Sequence, residues 1–84
     1  MKNKILVMVY VPIIESEFDL YIPTVKKIGA IKSMILSIVE DASDKTFVND
    51  GYKYLYDKLS GEKLDDNQFV KNSGIKNGTK LILY

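Results

Sequence analysis

Between Lys4 and Val11 the chain is apolar on both faces of an extended segment, and this restricts the fold more than any other feature. Ile5, Val7, Val9 and Val11 alternate with Leu6, Met8 and Tyr10, and the β-branched residues suit a strand. A strand with one wet face carries polar side chains at every second position. This segment does not, so it is read as a central strand paired on both sides. Pro12 ends it, having no N–H to give to a ladder. After a turn through Ile14 to Ser16, Phe18, Leu20 and Ile22 alternate with Glu17, Asp19 and Tyr21, the period-two pattern of a half-buried edge strand. The short connection makes the two strands an antiparallel hairpin.

One helix follows that is long enough to cover a sheet. Ile28, Ile31, Ile35 and Ile38 recur at spacings of three and four, Met34 and Val39 widen the stripe, and Lys26, Lys27 and Lys32 fall largely off it. Thr24, after Pro23, is the expected N-cap. Gly29 inside the helix costs about 1 kcal/mol relative to Ala; either a close approach to the sheet offsets this or the glycine is merely tolerated. Lys26 and Lys27 early and Glu40 and Asp41 late oppose the helix dipole. That placement reads first as a solvated face and second as a docking surface.

Asp41 to Asp50 reads as a polar loop with Phe47 or Val48 tucked inward. Tyr52 to Asp57 is a third strand, oriented with Leu55 inside because tyrosine hydroxyls need water or partners. After Ser60-Gly61, Leu64 marks a short fourth strand. Asp65-Asp66-Asn67 then caps a helical turn carrying Phe69 and Val70; without a bidentate Glu at calcium-loop spacing it is not read as a metal site. Asn77-Gly78 is expected to supply the positive backbone angles of a tight turn. In the fifth strand, Thr79 to Tyr84, Leu81 and Leu83 face inward, and Ile82 and Tyr84 outward.

Composition removes much chemistry. The 84 residues make one domain, and they include no Cys and no His. No disulfide or thiolate metal site is available, and the commonest general base and zinc ligand are missing. No catalytic residue, cofactor or metal site is assigned. The net charge is +1 and every basic residue is Lys, which argues against nucleic acid as a partner, since Arg is the preferred phosphate and guanine donor. The charged and apolar N-terminus superficially resembles a secretory signal, but Glu15, Glu17 and Asp19 follow with no small-residue cleavage site. The apolar run is also too short to span a bilayer. A cytoplasmic protein without membrane insertion, monomeric or weakly self-associating, is expected.

The order β-β-α-β-β-β resembles the ubiquitin-like β-grasp superfold over essentially the whole chain. The implied class is α+β, a mixed five-stranded sheet covered on one face by one main helix. Within it the sequence is most similar to the small bacterial ubiquitin-like proteins of the YukD and EsaB family, which accompany type VII (ESX-like) secretion systems of Gram-positive bacteria. Phe18-Asp19-Leu20-Tyr21-Ile22-Pro23, Ser60-Gly61-Glu62-Lys63-Leu64-Asp65-Asp66-Asn67 and Gly74-Ile75-Lys76-Asn77-Gly78-Thr79-Lys80-Leu81 carry the match. Thr79 stands where that family usually has an acidic residue, and the tyrosine-rich third strand is unusual for it.

The resemblance implies recognition rather than catalysis. The sequence stops at Tyr84 without the Gly-Gly tail that conjugation and sulfur transfer need, so neither is expected. A single helix covers one face of the sheet and leaves the other open. In this register Leu6, Met8, Tyr54, Tyr56, Ile82 and Tyr84 lie on the open face. They form either a protein-binding patch or ordinary strand residues partly covered by loops. The expected partner is a protein, a membrane component or a regulator of a type VII machine. The alternatives are a regulatory subunit of an enzyme complex, or a carrier or modifier whose Gly-Gly tail is missing from this chain.

Overall fold

A computed structural model describes residues 3–43, 51 and 53–84. Two long strands, β1 (Lys4–Val11) and β2 (Ser16–Pro23), form an antiparallel hairpin whose connection is a 3-10 turn begun by Pro12. Glu15, at the tip, takes a left-handed backbone with φ 51°. The helix α1 (Ile28–Ala42) follows, then β3 (Leu55–Asp57), a 3-10 turn over Val70–Asn72, and β4 (Thr79–Leu83). The sheet order is β2-β1-β4-β3. β1 pairs parallel with β4 on the side away from β2, and β3 pairs antiparallel with β4. The both-faced apolar pattern of β1 thus corresponds to a strand flanked on both sides.

Val7, Val9, Val11, Ile22, Leu55, Leu81 and Leu83 project from the sheet into one core with Ile28, Ile31, Ile35, Leu36 and Val39 of α1. Val70 and Ile75 close it from the loop between β3 and β4. Leu55 is inward, as expected from the need of the tyrosine hydroxyls for water or partners. Ile38 is only half-buried, and Leu36 takes its place in the buried stripe.

Several expectations are corrected. The sheet has four strands, not five. The segment around Leu64 makes only an isolated bridge, Tyr56 opposite Lys63, because the chain turns away two residues later. There Asp65 Oδ1 accepts the Asn67 N–H at 2.9 Å in an Asx turn. Asp65-Asp66-Asn67 therefore does not cap the turn at Val70, whose N-cap position is Phe69, without a side-chain bond. Only Gly78 takes a positive φ at the Asn77-Gly78 turn, while Asn77 Oδ1 accepts the N–H of Leu6 at 2.7 Å. The inward Phe47 or Val48 and the start of the third strand at Tyr52 lie outside the described residues.

The helix begins at Ile28 rather than just after Thr24, and continues through Asp41 and Ala42. Thr24 caps nothing; its N–H and hydroxyl both donate to Asn3 O. The helix N-terminus is satisfied from far along the chain. Ile28 N–H donates to Gln68 O at 2.8 Å, and Gly29 N–H to Asp66 O at 2.9 Å, so two of the four orphan donors find distant carbonyls. Gly29 is accordingly a close approach, but to this turn and not to the sheet: a Cβ there would lie 3.2 Å from Asp66 O. Lys26 precedes the helix and Lys27 is its N-cap residue, so neither lies within the first helical turn.

Candidate functional site

The face of the sheet opposite α1 carries no covering element among the described residues. Its composition follows from the register. Glu17 of β2, Tyr10 of β1, Ile82 of β4 and Tyr56 of β3 stand opposite one another in a single row across all four strands. The next row is Asp19, Met8 and Lys80. Leu6 and Tyr21 form a further pair. Strand alternation places all of these opposite the buried residues.

The aromatic part of this face is locally organised. The rings of Tyr56 and Tyr84 meet edge to face, 6.3 Å between centroids and 81° between planes, the geometry favoured by the ring quadrupoles. Lys58 Nζ lies 5.6 Å from the centroid of Tyr10, within cation–π range. Tyr56, Ile82, Tyr84 and Gly61 line a shallow apolar depression with Asp57 and Lys58 at its rim. Tyr84 is 70% exposed, so an aromatic side chain of large area stands in solvent at its border.

Beside the depression, Leu59 is 98% exposed. It sits at the tip of a turn held by its own polar groups. Asp57 Oδ1 accepts the N–H of Leu59 and of Ser60, Gly61 N–H donates to Asp57 O, and Lys58 N–H donates to Lys80 O. The turn is thereby tied both to itself and to β4.

Of the six residues assigned from sequence, Ile82, Tyr56 and Tyr84 come together. Met8 lies one row away, and Leu6 lies further along β1 beside the Gly78 turn, whose N–H donates to Leu6 O at 2.7 Å. Tyr54 departs from the group. Its backbone exchanges two hydrogen bonds with Tyr84, yet its ring is drawn round the sheet edge to the helix side. Lys32 Nζ of α1 stands 4.7 Å and Lys63 Nζ 4.3 Å from its centroid. Lys32 also pairs with Asp66 at 2.7 Å, joining α1 to the Asp66 turn. Tyr10, Lys58 and Leu59 were not assigned. Tyr10 was legible from the alternation of β1, whereas nothing in the sequence marks Leu59 as exposed. Among the described residues no three His, Cys, Asp or Glu side chains converge to hold a metal, and no helix is long and apolar enough to cross a membrane.

No family model matches the sequence, and no curated protein matches it. Solved structures do match. A ubiquitin-like domain of Arabidopsis thaliana superposes with a TM-score of 0.73 at 23% identity, over 98% of this chain and 77% of its own. Caldiarchaeum subterraneum ubiquitin gives 0.75 at 15% identity, over 95% and 90%. The ubiquitin-like domain of the Mycobacterium tuberculosis type VII secretion system protein ECCD1 gives 0.74 at 13% identity, over 95% and 96%. A chain of an ESX-5 inner membrane complex gives 0.80 at 12% identity, over 98% of this chain and 21% of that one. The architecture is therefore a ubiquitin-like β-grasp fold, with one helix packed on a four-stranded mixed sheet.

Proposed function

We propose that this chain is a non-enzymatic ubiquitin-like adaptor of a type VII (ESX-like) secretion system, acting as one domain by docking onto a membrane component or regulator of that machine. The observation that carries the reading is the aromatic row Tyr10, Ile82 and Tyr56, joined at its border by Tyr84, on the sheet face that no described element covers. Aromatic residues around an apolar centre with a charged rim have the make-up of a protein interface. The resemblance of its turn segments to the YukD and EsaB proteins supports the type VII assignment. So do the structural likenesses to a type VII ubiquitin-like domain and to a chain of an ESX-5 complex. The setting this implies is the cytoplasm of a Gram-positive bacterium.

The test places a photo-crosslinking amino acid at Tyr84 in a host that carries such a system. Adducts with a component of the secretion membrane complex are expected. Tyr56→Glu with Ile82→Glu should remove both adduct and secretion while the purified variant keeps its fold by circular dichroism. Secretion at the wild-type level with that folded variant refutes the proposal.

A further inference from the structure

β2 is a sheet edge: it pairs with β1 over its eight residues, and no described strand lies on its other side. The register shows which backbone groups face outward. Thr24 N–H donates to Asn3 O at 2.8 Å, so Asn3 and Thr24 are a hydrogen-bonded pair. Bonded and non-bonded pairs alternate along an antiparallel ladder, and so Ile22, Leu20 and Phe18 direct their backbone groups at β1. Those of Glu17, Asp19 and Tyr21 point away. The far side of β1 agrees, because Leu6, opposite Tyr21, directs its N–H to Asn77 Oδ1 and its C=O to the Gly78 N–H.

The side chains along this edge are sorted in the same way. Glu17, Asp19 and Tyr21 are exposed on the open-face side. Phe18 and Leu20 are half-buried against the core on the helix side. Glu15, Glu17 and Asp19 are the only charges between Pro12 and Pro23, in a chain with twelve lysines. A second copy pairing through its own β2 would set carboxylate against carboxylate, which sheets avoid. An incoming strand with basic residues on the open-face side and aliphatic residues on the other meets complementary charge and the flanks of Phe18 and Leu20.

We propose that β2 accepts an extended, alternating basic and aliphatic segment of a partner protein as a fifth strand, bonded to the backbone of Glu17, Asp19 and Tyr21. This edge meets the aromatic row only at Glu17 and offers outward backbone groups that the row does not use, so the proposal stands whether or not the secretion reading does. The probe is an acetylated and amidated peptide Lys-Val-Lys-Ile-Lys-Val-Lys, set against the same peptide with Glu for Lys, each titrated into the isotope-labelled full chain and followed by NMR. The Lys peptide should shift amides across residues 16–22 and slow hydrogen exchange at 17, 19 and 21. Glu17→Lys with Asp19→Lys, both at exposed positions, should weaken it about tenfold and admit the Glu peptide. Shifts centred elsewhere, equal binding of both peptides by the wild-type chain, or no binding at millimolar peptide each overturn the proposal.

Discussion

Leu55 and Tyr56 are adjacent in β3 and make opposite predictions about stability, which tests the placement of the aromatic row directly. Leu55 is 1% exposed in the core, beside Leu83. Truncating a buried leucine removes its transfer free energy and leaves a cavity, about 2–5 kcal/mol in all. Tyr56 is half-buried on the open face; Tyr56→Ala loses the edge-to-face contact with Tyr84 and side-chain packing across to Ile82. Those interactions are worth roughly 1 kcal/mol. A domain of this length has roughly 4–13 kcal/mol to lose. Leu55→Ala at about 3 kcal/mol should lower Tm by roughly 12–24 °C, and Tyr56→Ala by roughly 4–8 °C. The assay is urea unfolding at 25 °C by far-ultraviolet circular dichroism, with equal denaturant slopes required before midpoints are compared. A one-residue slip of β3 would exchange the two faces and invert the order. Equal costs, or a larger cost for Tyr56→Ala, refute the assigned register and with it the aromatic row.

Two further substitutions probe the links that set the ends of the elements. Gly29→Val should destabilise by about 2 kcal/mol in the same assay, since its Cβ meets Asp66 O at 3.2 Å and pushes apart the Gly29–Asp66 hydrogen bond. A gain in stability would show that the turn yields and that helix propensity decides. Asn77→Ala should cost about 1 kcal/mol by leaving the Leu6 N–H without its acceptor, and an unchanged midpoint would mean that water replaces it.

The parts of the fold legible in the sequence are those set by local pattern. β1 showed its central position by being apolar on both faces, and the alternation of β4 correctly divided Leu81 and Leu83 from Ile82 and Tyr84. The helix stripe was legible too, apart from the exchange of Ile38 for Leu36. The misplaced helix start has a definite cause: the N-terminal donors are met by carbonyls of Asp66 and Gln68, some forty residues away, and Thr24 carries no mark that it is unused. Tyr54 was misassigned because alternation gives the face of a strand, not the course of a long side chain. At the sheet edge its ring reaches round to Lys32 and Lys63.

By itself the sequence indicated the helix and the four strands that form, their order, and which side of most elements is apolar, because periodicity records burial one residue at a time; it also indicated a strand at Leu64 that does not form. Tertiary structure decided the start of α1, the close approach of Asp66 to Gly29 and the row Glu17, Tyr10, Ile82, Tyr56. Each depends on a contact between distant segments, whose register and distance no local pattern encodes. The candidate site lies on that boundary. Its residue types were visible in the chain, but their assembly into one aromatic row required the parallel pairing of β1 with β4.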